Sequence, residues 1–342
     1  MLLERDEIQT ILNKYGIESF NDTNMIDSSH GDQDIRNNYI IDKKFVLRVN
    51  SAKVMGEDRL KELNVLIRRY NDFGLKAPYF LPNKEGAYLL EYKDHYCYLS
   101  EYLDYELADN VKEKCRKELI KERVIFVSRF ANQYKNCDLI DTMSMYSLFE
   151  LSPYDQLTGL GIDEKQDNFN ELYNVLIEVK ESFFADQLKD TYDGFRRELL
   201  SFYKELPRCV FQGDENFSNL CVEEDQHIIG LFDFNMSGTD VIANYLANIS
   251  LQGNFYYTDE IIAQSNAKEI FDMIMNSYIE STSLIKEYYE FGDNEMKAYH
   301  LYSKIAMISG YWNQYAFCKY LKNEQYKEKI MELLKLVMQV EF

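Results

Sequence analysis

Glycine, proline and tryptophan are scarce in this chain, with 14, 4 and 1 among its 342 residues. Disordered, fibrous and low-complexity chains are usually rich in glycine or proline, so this scarcity argues against those classes. No internal repeat, heptad run or HExxH motif occurs either. The aromatic content, by contrast, is 15%, mostly from 28 tyrosines and 21 phenylalanines. This composition favours a helix-rich globular protein, long enough for one large domain or two lobes.

Paired cysteines and long apolar runs are missing as well. None of the six cysteines forms a CxxC motif, and they lie in apolar or helical stretches. They indicate reduced thiols rather than a disulfide framework or a zinc site. The first nine residues, MLLERDEIQ, are charged from the fourth position, unlike a signal peptide. No apolar run approaches membrane-spanning length. We therefore expect a cytoplasmic protein without a membrane partner.

Basic residues are outnumbered, with 38 Lys and Arg against 58 Asp and Glu, and the net charge is −20. Residues 1–103 carry 14 basic and 17 acidic side chains, and the remainder carries 24 and 41. This acidity opposes nucleic-acid binding, so we expect no nucleic-acid partner. It also raises the local concentration of cationic ligands near the C-terminal part. Most of these acids are equally explained as solvated helix faces that serve solubility.

The most informative stretch is residues 211–234, FQGDENFSNLCVEEDQHIIGLFDF. Asn219 follows Asp214 by five residues, and a short apolar run then leads to Asp233. Such an acid, amide, acid set suits phosphoryl transfer, in which one carboxylate accepts the proton of the attacking hydroxyl. The amide oxygen and the other carboxylate then hold magnesium against the nucleotide phosphates. The alternative is a plain hairpin with Asp and Asn as turn residues.

The N-terminal region contains candidates for nucleotide binding. An amphipathic helix over residues 2–15 ends at Gly16, and a polar loop with Ser28, Ser29 and Gly31 then precedes a strand at residues 38–41. Backbone N–H groups and small hydroxyls in such a loop can cradle phosphates. An ordinary hairpin loop is an equally good interpretation of the loop on local evidence.

Arg48 stands in the middle of an alternating strand, KFVLRVN, where a cation needs an anionic partner. The next segment, residues 57–73, is an amphipathic helix capped by Gly74, and Glu62 beside its apolar stripe is the predicted partner of Arg48. A plain exposed arginine and a solvated helix acid are the alternatives.

Two strands, GAYLLEY and HYCYLSEYLDY, follow as a hairpin ending in a hinge near residues 100–103. We predict that residues 1–103, including the hinge, form one domain.

A second domain is predicted over residues 104–342, with the catalytic loop and the substrate site. The pattern is helical over 106–136, irregular over 137–166, and helical again over 168–206 with a break near 189–192. Gly238 and Asp240 resemble a turn and a helix cap, and we interpret Asp240 as structural. The chain is predicted to be helical from Thr258 onward.

The motifs GDENFSN and IIGLFDF resemble those of the aminoglycoside phosphotransferase and choline kinase-like family. The resemblance spans almost the whole chain. It implies an α+β, bilobal, protein-kinase-like fold. A small N-terminal lobe would contain an antiparallel sheet and one main helix, and the larger C-terminal lobe would be mostly helical. It further implies Asp214 as catalytic base, Asn219 and Asp233 as Mg²⁺ ligands, and Arg48 with Glu62 on the phosphate side. The same resemblance implies that residues 1–103 are the nucleotide-binding domain and that the backbone of Ser100 and Tyr102 at the hinge contacts the nucleobase.

Two departures from the family pattern stand out. Gln212 occupies a position where relatives commonly have His, and Arg48 occupies one where many have Lys. The implied function is a small-molecule kinase that transfers the γ-phosphoryl group of ATP or GTP to a hydroxyl, with a cationic, aminoglycoside-like or choline-like acceptor. The alternatives are a catalytically weak or inactive nucleotide-binding relative and a structural, spore-coat-type protein that binds no nucleotide.

Overall fold

The computed structural model of the chain describes residues 3–29, 35–51, 55–223, 227–251 and 256–342. The strands are β1 (Thr23–Asp27), β2 (Arg36–Ile41), β3 (Phe45–Asn50), β4 (Phe80–Leu81), β5 (Leu90–Tyr92), β6 (His95–Glu101), β7 (Glu106–Leu107), β8 (Arg208–Phe211), β9 (Leu220–Val222), β10 (Ile228–Leu231) and β11 (Gly238–Val241). The helices are α1 (Arg5–Lys14), α2 (Glu57–Phe73), α3 (Glu113–Gln133), α4 (Pro153–Thr158), α5 (Glu164–Glu178), α6 (Ser182–Leu200), α7 (Ile242–Leu251), α8 (Asp259–Gln264), α9 (Ala267–Tyr288), α10 (Asp293–Ser309), α11 (Tyr311–Leu321) and α12 (Lys327–Met338).

The contacts divide the chain into two compact units, residues 1–116 with 215–234 and residues 117–214 with 235–342. The first unit contains an antiparallel sheet in the order β1-β2-β3-β6-β4, with β5 also paired to β6. The alternation predicted for β3 is present, because Leu47 and Val49 are fully buried in a core shared with Ile11 and Leu12 of α1. The predicted lobe boundary after residue 103 stays a prediction.

Helix α2 has the bounds that its sequence predicts, residues 57–73. Its apolar stripe, including Leu60, Leu63 and Ile67, is buried, and Gly74 ends it in the left-handed conformation with φ of 102°. The segment after α2 continues into the first unit's second sheet. The Lys76 N–H donates to the carbonyl of Ile229, and the Leu231 N–H donates to the Lys76 carbonyl.

This second sheet has the order β10-β9-β7, so the predicted hairpin of residues 211–234 is formed by β9 and β10. The two strands are antiparallel, with Leu231 opposite Leu220 and an irregularity between Ile228 and Gly230. The open end of the hairpin therefore brings the residue before β9, Asn219, next to the residues after β10.

The second unit consists of helices around one two-stranded sheet, β8 paired with β11. Helix α7 is buried on all sides, as expected for a central helix that other helices surround. Among the described residues, none of the helices combines the length and the apolar character needed to cross a membrane.

Three expectations about local structure are corrected. Residues 106–112 begin with β7 and a short 3₁₀ helix, and α3 starts only at Glu113. The break between the two middle helices falls at residues 179–181 instead of 189–192. Asp240 lies inside β11, opposite Cys209, and not in a turn before α7. The helical character predicted from Thr258 onward is confirmed by α8 to α12.

Candidate functional site

Asp214 is held by the residues directly around it. The Asp214 N–H donates to the side-chain oxygen of Gln212 at 2.6 Å, and the Ser237 hydroxyl donates to the Gln212 carbonyl at 2.8 Å. Gln212 is completely buried, so an amide can support this loop from inside the protein. Gly213 has φ of 93°, and a Cβ there would lie 2.2 Å from the Met236 carbonyl oxygen. Only glycine can hold this turn against that neighbour.

Asn219 and Asp233 both lie at the open end of the β9–β10 hairpin. The carbonyl of Asn219 accepts the N–H of Phe232, the neighbour of Asp233, at 3.1 Å. Asn219 is buried, whereas the Asp233 side chain is 37% exposed. An amide oxygen and a carboxylate are hard oxygen donors, the type that Mg²⁺ prefers, and Mg²⁺ normally completes its shell with waters and phosphate oxygens. This donor pair therefore fits magnesium, and the predicted role stays a prediction.

Asp233 has an unusual backbone conformation, with φ of 58°. Asp tolerates the left-handed region better than most residues other than glycine. The next side chain, Phe234, is buried and lies edge-on to Tyr70 of α2, with ring centroids 5.7 Å apart. The aspartate is thus held between a hairpin strand and an aromatic anchor on α2.

Arg48 points to Asp233. Its guanidinium nitrogen lies 3.8 Å from the Asp233 carboxylate, and its side chain is 17% exposed. Burial would lower the pKa of Arg48, but the nearby Tyr98 and Asp233 outweigh burial and raise it. The arginine therefore stays charged and adds a fixed positive charge beside the predicted metal ligand.

Glu62 is placed differently from the prediction. Its carboxylate lies 3.6 Å from Arg59, one helical turn earlier on α2, whereas Arg48 pairs with Asp233. The predicted Arg48–Glu62 pair is corrected accordingly. Arg48 and Glu62 do not pair because each lies closer to another oppositely charged side chain, Arg48 to Asp233 and Glu62 to Arg59.

The polar loop after β1 uses both of its predicted hydroxyls internally. The Ser28 hydroxyl donates to the Arg36 carbonyl and accepts from Asn38, and the Ser29 hydroxyl accepts from the Arg36 N–H. Gly31 lies outside the described residues. The loop is therefore ordered at Ser28 and Ser29 by its own strand partners, and phosphate binding there stays a prediction.

The two predicted hinge residues lie at the end of β6. Ser100 is buried and pairs with Val46 and Phe80 in the sheet. The Tyr102 N–H donates to the Lys44 carbonyl at 2.8 Å. Because this donor is already used, a nucleobase at Tyr102 would have to bind through other groups of the segment.

Asp240 is a structural carboxylate, as predicted. It is 1% exposed and accepts hydrogen bonds from the Ser144 hydroxyl at 2.6 Å, the Asn244 amide at 3.0 Å and the Val241 N–H at 2.7 Å. Burial raises its pKa to about 6, against the opposing effect of these donors. It connects β11 to α7 and to the segment around Ser144.

Sequence reasoning missed the supporting residues. Tyr70 behind Phe234 and Arg59 beside Glu62 lie on a helix whose apolar stripe and C-terminal cap are correctly predicted. The partner of Tyr70 is set by how the hairpin packs on α2, whereas the Arg59–Glu62 pair follows from i,i+3 spacing within the helix. The available signal was the helical spacing of Arg59 and Glu62, and for Tyr70 its place in the predicted apolar stripe.

Comparison with known proteins gives a structural likeness alone. No protein-family model matches the sequence, and no curated protein matches it either. An amicoumacin kinase, solved with AMP-PNP, Ca²⁺ and Ami, is similar over 98% of this chain and 96% of its own, at 12% identity and a TM-score of 0.55. A spectinomycin phosphotransferase, solved with ADP and spectinomycin, is similar over 99% and 100%, at 13% identity and a TM-score of 0.51.

At such low identity these likenesses define the fold. Both extend over nearly the full length of both chains, and they agree with an antiparallel sheet in the first unit and a mostly helical second unit. The predicted fold class is confirmed: the chain has the α+β, protein-kinase-like fold of the aminoglycoside phosphotransferase-like kinases.

Proposed function

We propose that this protein is a small-molecule kinase that transfers the γ-phosphoryl group of ATP or GTP to a hydroxyl group. The observation that carries the proposal is the hydrogen bond from Phe232 to Asn219, which sets an amide and the Asp233 carboxylate at one end of a hairpin. Arg48 adds a cation beside them. The structural neighbours, a spectinomycin phosphotransferase and an amicoumacin kinase, support the same reaction class.

Asp214 is the proposed general base. The acceptor hydroxyl oxygen forms a bond to the γ-phosphorus, the bond from that phosphorus to the β–γ bridging oxygen breaks, and the acceptor proton passes to the Asp214 carboxylate. Because the transition state is loose, the contribution of the base is chiefly to orient the hydroxyl. The buried Gln212 amide and the Gly213 turn give Asp214 a fixed backbone for this task.

Asn219 and Asp233 would hold magnesium. When bound, the ion neutralises charge on the nucleotide phosphates and on the leaving group. Arg48 would contact a phosphate oxygen, and its planar guanidinium can do so with two N–H groups. The proposed roles therefore use one amide, two carboxylates and one permanent cation of the chain itself.

The acceptor is proposed to be cationic, such as an aminoglycoside-like or choline-like amine. The support is the charge of residues 104–342, which contain 41 acidic against 24 basic side chains. A panel of aminoglycosides, choline-like amines, neutral sugars and anionic hydroxy acids tests this point. If only the neutral or anionic compounds are phosphorylated, this part of the proposal is abandoned while the kinase assignment stands.

The decisive experiment is Asp214→Asn, measured as phosphate transfer across that panel and as nucleotide binding. We expect turnover to fall by about 10²- to 10⁴-fold, the usual contribution of a general base. Nucleotide affinity should change little. Asp58→Asn, at a side chain that is 97% exposed on α2, is the matched control and should leave both quantities intact. Full activity in Asp214→Asn would reject the assignment.

A second candidate is a relative that binds nucleotide without transferring phosphate. The Arg48–Asp233 ion pair favours it, because the two charges that the kinase reaction would use are paired with each other. Thermal shift with ATP or GTP and Mg²⁺ detects binding, since a ligand that binds only the folded state must stabilise it. Stabilisation without phosphate transfer to any acceptor would support this candidate, and no stabilisation by either nucleotide would exclude both candidates.

A further inference from the structure

Tyr245 of α7 contacts the backbone directly before Asp214. The Gly213 N–H donates to the Tyr245 hydroxyl oxygen at 3.0 Å, and both groups are buried. Gly213 is the turn residue with positive φ. The bond therefore acts on the peptide unit that sets the direction of the next residue, Asp214.

The ring of Tyr245 also contacts the strand residue that precedes this turn. It stacks on Phe211, the last residue of β8, with centroids 3.8 Å apart and planes 5° from parallel. Both rings are completely buried. The Tyr245 ring thus contacts the strand that leads into the turn, and the Tyr245 hydroxyl contacts the turn itself. The two contacts reach residues only two positions apart, the Phe211 ring and the Gly213 backbone.

Tyr245 has a rigid support of its own. The Tyr146 ring packs against it at 5.7 Å, and the neighbouring Asn244 amide donates to the Tyr146 carbonyl at 2.6 Å. Asn244 also donates to the buried carboxylate of Asp240. The start of α7 is therefore anchored on both sides, and the Tyr245 hydroxyl has little freedom to follow a moving loop.

We propose that Tyr245 is a positioning residue for the Asp214 base, acting through the Gly213 amide. The proposal rests on the proposed kinase function and deepens it. Gln212 holds the Asp214 N–H from one side, and Tyr245 holds the Gly213 N–H from the other. Two consecutive amides are thus fixed by two buried side chains. Small displacements of a catalytic group reduce the rate strongly, which is why such a supporting contact affects turnover.

The variant Tyr245→Phe removes the hydroxyl and keeps the stacked ring. We expect kcat to fall about tenfold, the effect of one lost buried hydrogen bond felt at the base. KM for the nucleotide should stay at the parent value, because the contacts of Tyr245 described above lie before Asp214 and within the second unit. Unchanged kcat would overturn the proposal.

Tyr192→Phe is the matched control. Tyr192 is also completely buried, stacks on Phe169 with centroids 4.0 Å apart, and donates its hydroxyl proton to the Lys165 carbonyl at 2.9 Å. Removal of the Tyr192 hydroxyl should lower thermal stability about as much as removal of the Tyr245 hydroxyl does, but it should leave kcat unchanged. If both variants lower kcat in proportion to stability, Tyr245 is merely structural and the proposal falls.

Amide hydrogen exchange separates this proposal from the proposed function. The Asp214 N–H is bonded to Gln212, not to Tyr245, so its exchange rate reports loosening of the loop rather than the deleted bond. We expect exchange at Asp214 to rise about tenfold in Tyr245→Phe and to stay at the parent rate in Tyr192→Phe. Equal rates in the two variants would refute the positioning role, even if the parent protein transfers no phosphate at all.

Discussion

Arg48 and Asp233 lie 3.8 Å apart and join the middle of β3 to the end of the β9–β10 hairpin. In the proposed reaction the two charges have different targets, the arginine a phosphate oxygen and the aspartate a magnesium ion. A magnesium nucleotide carries both opposite charges, so its binding can replace this ion pair with two new pairs. Each charge of the ion pair offsets part of the cost of burying the other.

Replacing Arg48 tests the phosphate contact. Arg48→Met should weaken magnesium-nucleotide binding by about 10- to 100-fold, the value of a hydrogen bond to a charged group. Arg48→Lys keeps the positive charge but cannot contact phosphate with two N–H groups at once. It should therefore weaken nucleotide binding less than Arg48→Met does. Isothermal titration measures both. Lys43→Met, at a side chain that is 70% exposed beside the same strand, is the control. An Arg48→Met variant with parent affinity would contradict the contact.

Asp233→Asn tests the metal contact with little change of shape. Asn tolerates the positive φ of 58° found here, so the backbone should remain in place. In the parent, we expect Mg²⁺ to strengthen nucleotide binding, and in the variant this gain should largely disappear. Titrations of each protein with and without Mg²⁺ give the comparison, and the metal-free titrations act as the control. A variant that still gains affinity from Mg²⁺ would show that Asp233 is not a ligand.

Much of this site follows from local sequence. The bounds of α2 come from an apolar stripe and a capping glycine, and both signals lie within the helix itself. The Asp214-to-Asn219 spacing and the apolar run before Asp233 predict a loop followed by a hairpin, and the structure has β9 and β10 there. Signals of this kind need no knowledge of distant residues, which is why they could be interpreted correctly.

The errors arise where distant contacts decide. Helix α5 ends near Lys180, whose φ of 67° breaks the helix without a glycine or a proline to announce it. Gly194, a usual breaker, lies inside α6 instead. Asp240 was predicted as a cap but pairs in β11, because β8 offers it a strand partner. Likewise, the partner of Arg48 was set by the hairpin that carries Asp233, which no spacing on α2 could reveal.

The turn at Gly213 should be the least tolerant point of the loop. Gly213→Ala requires a Cβ 2.2 Å from the Met236 carbonyl oxygen and an alanine at φ of 93°. We expect a stability loss of at least about 2 kcal/mol together with loss of turnover. Gly194→Ala is the control, because a Cβ there meets nothing within 4 Å and α6 is helical around it.

The control variant should gain about 0.5 to 1 kcal/mol, the usual difference between alanine and glycine inside a helix. Urea unfolding of the two variants and the parent gives both values. Equal stability of Gly213→Ala and the parent would mean that the turn adapts, and the fixed backbone assumed for Asp214 would then be wrong.

The Asp240 carboxyl should make stability depend on pH. Its pKa is raised to about 6 by burial, above the ordinary value near 4. The folded state thus binds this proton more tightly than the unfolded state does. The stabilising contribution is full below about pH 4 and is lost as the pH rises through 6.

Asp240→Asn removes the titrating group and keeps its size. Between pH 4 and pH 7 we expect the parent to lose about 2 kcal/mol of stability relative to this variant, from a shift of about two pKa units that is already partly lost at pH 4. Ser144→Ala deletes a donor that favours the charged form, so its transition should move to higher pH than that of the parent. Urea unfolding at a series of pH values measures all three proteins. Parallel curves for the parent and Asp240→Asn would show that Asp240 does not change its protonation over this range, and the raised pKa would have to be rejected.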